Sequence, residues 1–226
     1  MRKYLKIYKV FVNNSISYLS QYRKDTWVRI FLNILWLLTL FITIEVIFGQ
    51  TKEILGWNKE EIYLLTVIWI IVDETYLLFF GGNLEIISNL ITHGDLDYYL
   101  TKPINTLFLV STKLVLIRAF YRLVIELVIL IWLIWNFDFA LSFWQVFLAL
   151  VLVIFGVIVN YSMFLIANTL SFWFYRIENI NYLIESISDF GRFPISILPR
   201  TIKIIILTII PVAFQAYIPI VTLTGR

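Results

Sequence analysis

The chain reads as an all-α, polytopic helical transmembrane protein with an N-terminal interfacial helix and a short cytoplasmic helix between two spans. Three observations point there. Hydrophobic residues make up 61% of the 226 residues and charged ones 15%, with a mean hydropathy of +0.87, outside the range of soluble globular domains. Several apolar runs are long enough to cross a ~30 Å hydrocarbon core, which takes roughly 20 helical residues. The runs are also continuous, whereas a barrel needs short alternating segments separated by turns.

Taken in order, Met1–Tyr22 is the interfacial helix. Tyr4, Tyr8, Phe11, Val12, Ser15 and Leu19 recur at helical spacing, and Arg2, Lys3, Lys6 and Lys9 fall mostly elsewhere; a basic helix with an aromatic face lies in the headgroup layer. The segment has no small-residue cleavage site, so it is expected to be retained rather than removed as a signal peptide. The first span is 27–48. Seven basic residues in Met1–Arg29 set the N-terminus inside by the positive-inside rule, and the net charge of +3 reflects such loops rather than nucleic acid. A short outer loop carrying Gly56 and Trp57 leads to the second span, 61–80, closed by Gly81-Gly82-Asn83. Residues 83–113 form a cytoplasmic connector, and the third span is 114–135. Asn136–Ser142 carries no Lys or Arg and turns outside into the fourth span, 143–167.

Beyond residue 168 two arrangements fit. Thr169–Arg200, which mixes Trp173, Arg176, Glu178, Glu185, Asp189 and Arg192 with apolar residues, is a cytoplasmic interfacial stretch followed by a fifth span over 201–221. Alternatively, Asn168–Phe193 crosses outward and Pro194–Pro219 makes a re-entrant hairpin at the outer surface. The basic residues Arg192, Arg200 and Lys203 favour the first by charge counting. The prolines suit the second, because broken backbone at membrane depth survives only where protein buries it.

Two groups of residues stand out chemically. Asp73 and Glu74 fall in the second span and Arg118, Arg122 and Glu126 in the third, the latter three spaced four apart on one helix face. Asp73 precedes Gly82 by nine residues and Arg122 follows Lys113 by nine, so at ~1.5 Å per residue both lie ~13 Å deep and an Asp73–Arg122 pair is expected. A lone charge at mid-bilayer costs roughly 2.5–3.5 kcal/mol. The five residues read either as a polar seam along a transport path or as a buried salt bridge fixing helix register.

The second group is the island Gly94, Asp95, Leu96, Asp97, Tyr98, Tyr99, Leu100, Thr101, Lys102 and Pro103, polar and turn-forming between two apolar runs. Asn89–Leu100 is expected as one short helix along the membrane face, with Gly94 permitting a tight turn and Asp95 capping the next helical turn. Exposed acids and tyrosines there make a handle for a cytosolic partner.

Enzyme chemistry has little to work with. There is no cysteine and one histidine, His93, so no thiolate or histidine metal cluster, HExxH pair or Cys nucleophile can form within the chain. His93 reads as a solvated loop residue. A GxxxxGK[ST] phosphate loop is absent, so ATP hydrolysis by that route is not expected of this chain.

The island resembles the Gly-Asp-Leu-Asp-x-x-Leu-x-x-Pro segment of one subgroup of type-2 (ABC-2) permeases of ATP-binding-cassette exporters. Gly94, Asp95, Leu96, Asp97, Leu100 and Pro103 match it. Ser171-Phe172-Trp173 is similar to the small-Phe-Trp that ends the fourth span in that family. Pro194-x-Ser196-Ile197-x-Pro199, Ile209-Ile210-Pro211-Val212-Ala213-Phe214 and Tyr217-x-Pro219 followed by Gly225 supply a third likeness. The resemblance implies a permease of the bacterial cell membrane that pairs with itself or a sister permease and with cytosolic ATPase subunits. Those subunits would bind the ATP and magnesium, leaving this chain without a cofactor. The island would be the coupling helix, and the activity export driven by ATP. Such permeases continue into one more span and a cytoplasmic tail, and the chain departs from that pattern by stopping at Arg226. An ATP-independent channel or secondary transporter, and a non-transporting membrane scaffold, are the competing expectations.

Overall fold

The computed structural model describes residues 2–21, 23–137, 139, 141–174 and 179–225; Arg176 and Glu178 lie outside them. The chain is an all-α polytopic membrane protein. Its strands, among the described residues, are one two-stranded ribbon, β1 (Glu53–Ile54) and β2 (Trp57–Asn58). Among the described residues, three helices are long and apolar enough to cross a membrane: Thr26–Phe48, Lys59–Thr92 and Phe143–Phe172.

Helix α1 (Arg2–Gln21) is amphipathic and lies against the bundle. Its Tyr8 and Val12 pack on Leu78, Val115 and Ala119. Helix α2 (Arg23–Phe48) follows and buries little beyond Leu37 and Ile44, leaving Trp27, Phe31, Leu38 and Val46 outward. An apolar helix that exposes most of its surface inside a folded chain needs lipid or another protein around it.

Helix α3 (Lys59–Tyr76) is the central post, with Leu64, Leu65, Val67 and Val72 buried almost completely. Asn58 and Glu61 form a reciprocal capping box that starts it, satisfying backbone donors that the first turn leaves orphaned. It runs into a π-turn, Leu77–Gly81. There the Leu78 carbonyl accepts a bond from Leu116 N at 3.1 Å, so the widened turn ties α3 to the segment entering the next long helix. Asn83 reinforces the joint, its side chain exchanging two 2.7 Å bonds with the backbone of Leu114.

Short helices α4 (Gly82–Leu84), α5 (Ile87–Thr92), α6 (Leu96–Leu100) and α7 (Thr106–Thr112) make up the connector. Helix α8 (Ile117–Asn136) then runs antiparallel to α3, from the Leu78–Leu116 joint to the far end, where Phe137 stacks on Tyr63 at 6.4 Å. Helix α9 (Phe143–Thr169) returns parallel to α3, starting from a Ser142–Gln145 capping box and ending where Ser171 meets Ser88 at 2.6 Å. The bundle thus has a connector end and a ribbon end.

The last fifth of the chain decides between the two arrangements left open by sequence. Helix α10 (Ile180–Ser188) starts at the connector end, where Asn181 accepts a bond from Asn168 and donates one to the Glu85 carbonyl. It rises to mid-bundle, where Trp69 donates to the Ser188 carbonyl at 3.1 Å. Ser196 reaches the ribbon end and accepts from Trp57 at 2.9 Å. After α11 (Arg200–Ile204) and a second π-turn, Ile205–Ile209, Gln215 is back at mid-bundle beside Ser188. Helix α12 (Tyr217–Thr224) then returns to the ribbon end, with Gly225 against Gln145.

This is the re-entrant path over Pro194–Pro219, and the single fifth helix over 201–221 favoured by charge counting does not form. Pro211 lacks the N–H that would continue the helix. Arg192, one of the basic residues counted, lies 3.6 Å from Asp189 within the segment. Gly156 on α9 makes the fold possible: a Cβ there would sit 2.7 Å from the Phe214 carbonyl oxygen, so only glycine lets the re-entrant backbone come so close.

Candidate functional site

Within the connector, residues 89–100 fall in two short helices, α5 and α6, rather than the one helix expected there. Gly94 divides them, with φ at +78°, the left-handed conformation that ends a helix at little cost only for glycine. Its amide donates back to the Ile91 carbonyl, closing α5. Asp95 stands at the N-cap of α6, yet its side chain makes no capping bond. The expected cap by Asp95 does not form, and Asp95 and Asp97 are both exposed.

The two faces of α6 differ. Leu96 and Tyr99 pack against the cluster of Leu84, Ile87 and Val110, and the Tyr99 hydroxyl accepts from Lys113 Nζ at 3.0 Å. Asp95, Asp97, Tyr98 and Leu100 are exposed. Lys102 lies 4.0 Å over the Tyr98 ring and holds that phenol below its ordinary pKa by hydrogen bonding and charge. Further along, Lys3 of α1 donates to the Pro103 carbonyl at 3.2 Å, Tyr4 meets Phe108 edge-on at 4.9 Å, and Asn105 caps α7 through Phe108 N. The connector is keyed to the bundle on its inner side and bare on its outer side. His93 is exposed, its ring bonded to the Asn89 carbonyl at 2.9 Å.

The intramembrane charges meet between α3 and α8, with one change of partner. Arg122 pairs with Glu74 at 2.8 Å, not with Asp73. Successive helix residues diverge by about 100°, so at one depth Glu74 faces α8 while Asp73 turns toward α9. Asp73 instead receives a long 3.5 Å bond from Asn160. Arg118 joins Asp73, Glu74 and Arg122 around one cavity, and Glu126 is 1% exposed with neither carboxylate oxygen bonded among the described residues.

Behind Asp73 lies a set of neutral polar residues that sequence reasoning passed over. Gln215 donates to the Asn160 amide oxygen at 2.7 Å, and the Ser188 hydroxyl lies 3.1 Å from that oxygen and 3.0 Å from the Gln215 oxygen. One hydroxyl proton serves one of these acceptors at a time. All three residues are buried. Inter-helix bonds of this kind contribute on average roughly 0.6 kcal/mol each, so the network fixes where the re-entrant segment seats more than how stably. A lone amide inside an apolar run, such as Asn160 in Val157–Phe164, is the signal that could have found it.

Neither the curated proteins nor the solved structures contain a match to the chain. A family model described as ABC-2 family transporter protein matches residues 34–226, a stretch that takes in the connector, both long helices of the seam and the re-entrant segment. The chain belongs to the ABC-2 transporter family, the membrane-embedded permease components of ABC transporters.

Proposed function

We propose that this chain is the membrane-spanning permease subunit of an ATP-binding-cassette exporter, coupling ATP hydrolysis by a separate cytosolic ATPase to substrate export. The observation that carries the reading is the two-faced α6. Its inner face is fixed to the bundle by Leu96, Tyr99 and the Lys113 bond, and its outer face offers Asp95, Asp97, Tyr98 and Leu100. A force applied to the outer face passes into α3 and α8 through the Asn83–Leu114 and Leu78–Leu116 bonds at their joint. Gly94–Pro103 is accordingly the coupling segment, and the connector end and N-terminus face the cytoplasm of a bacterial cell. The ATPase holds the ATP and magnesium, and a second copy or a sister permease completes the transporter.

The test is Asp95→Lys with Asp97→Lys in the full chain. Membrane insertion is expected to persist, while co-purification of the ATPase and substrate-stimulated ATP hydrolysis are lost. Normal co-purification would remove the coupling role. A second reading, an ATP-independent secondary transporter, draws on the charged cavity beside Glu74 and Arg122; proton-coupled flux by the single chain in liposomes would favour it.

A further inference from the structure

Where α1 crosses the start of α8, the two leave a cavity of about 560 Å³ between them, within the range of small-molecule sites. One wall is α1, through Phe11, Asn14, Ser15 and Tyr18, whose spacing is that of a single helical face. The other is the non-helical stretch 113–116 and the first turn of α8. A second cavity, of about 710 Å³, shares Leu19 and Thr26 with the first. It runs between Trp27 and Ile30 of α2 and Phe120, Tyr121 and Val124 of α8. From Arg118 in the first cavity to Ile125 in the second, α8 advances about 10 Å, at ~1.5 Å per residue.

The two cavities differ in chemistry. Among the described residues, the first is lined by two cations, Lys113 and Arg118, and by no carboxylate. Arg118 also borders the neighbouring cavity between α2, α3 and α8, where Glu74 and Glu85 stand opposite it. Lys113 has no such acid: it makes no ion pair among the described residues, and its bond goes to the neutral Tyr99 hydroxyl at 3.0 Å. Exposed Asn14 adds a polar side chain, and the first turn of α8 carries no acid. The second cavity, among the described residues, is lined by apolar and aromatic side chains with Thr26 and no charge.

A cationic chamber opening into an uncharged groove is shaped for an amphiphile with an anionic head. We propose that the two cavities hold one anionic phospholipid, its phosphate at Lys113 and Arg118 and an acyl chain between α2 and α8. Basic pockets between helices at headgroup level take anionic lipid heads, and the amphipathic α1 is the kind of helix that lies at that level. Trp27, Phe120 and Val124 are exposed, so the groove is open sideways to the bilayer. The occupant is a resident lipid that ties α1 to the start of α8, beside the bond from Val115 N to Ser15 at 3.2 Å. The inference stands whether or not the chain couples to an ATPase.

The test uses the full chain in a neutral detergent, titrated with phosphatidylglycerol while native mass spectrometry counts the lipid retained. Phosphatidylcholine with the same chains is the charge control, and glycerol 3-phosphate is a phosphate head without chains. One phosphatidylglycerol per chain is expected, held about tenfold tighter than phosphatidylcholine and not displaced by glycerol 3-phosphate. Lys113→Gln should weaken it about fivefold, and Lys113→Arg should keep it. Val124→Trp, which fills the groove without touching a charge, should weaken it several-fold. That variant leaves the connector alone, so it stays informative if Lys113→Gln disturbs the Tyr99 contact. Equal retention of phosphatidylcholine, displacement by glycerol 3-phosphate, or indifference to either Lys113→Gln or Val124→Trp would overturn the site.

Discussion

Asp95 and Asp97 on the connector, and Asp73, Glu74 and Glu126 in the bundle, are the same kinds of acid in opposite surroundings. The connector acids stand in the open on a five-residue helix and make no ion pair among the described residues. The bundle acids are crowded around Arg122 at a depth where water is scarce. In the open a carboxylate is cheap to keep and easy to use for a partner. In the bundle an unmatched charge costs several kcal/mol, and Arg122 is held by Glu74 while Glu126 has neither oxygen bonded among the described residues. The difference teaches where each group acts: the first can change partners without disturbing the fold, and the second cannot.

Substitutions sharpen that contrast. The largest loss is expected from Arg122→Leu, which strands Glu74. It should destabilise the protein by about 3–5 kcal/mol, read as a fall in melting temperature in detergent. Adding Glu74→Leu to it should recover most of the loss; no recovery would break the assignment of the pair. Next comes Gly156→Val, whose side chain meets the Phe214 carbonyl. Overpacking of this kind costs about 1–3 kcal/mol and should expose the re-entrant segment to proteolysis before the rest of the bundle.

Asn105→Ala removes the cap of α7, worth about 1 kcal/mol, and should loosen the connector in hydrogen exchange without moving α3. Smallest in stability is the Asp95→Lys and Asp97→Lys pair, expected to leave the melting temperature unchanged while abolishing ATPase capture. A large drop in melting temperature from that pair would mean the two regions are less different than their surroundings indicate.

Local pattern made much of this legible. The apolar runs and the basic N-terminal helix depend on neighbours in sequence, whereas one helix was expected over 89–100 and Gly94 ends a helix there at positive φ. Depth counting placed Asp73 and Arg122 at one level, but azimuth assigned Arg122 to Glu74. Depth follows from residue number alone, whereas azimuth depends on how α3 is rotated against α8 and α9. The connector's acids were legible because exposure leaves a residue with its own properties. The amides at Asn160 and Gln215 were not, because a neutral side chain in an apolar run acquires meaning only from what packs beside it.

By itself the sequence determined that this chain lives in a membrane as helices, because hydropathy is summed over adjacent residues. Only the tertiary structure decided that Pro194–Pro219 dips back to mid-bundle and that Asn160, Ser188 and Gln215 meet there. Those contacts join residues 27 to 55 positions apart, and their energy exists only once the intervening chain has folded back.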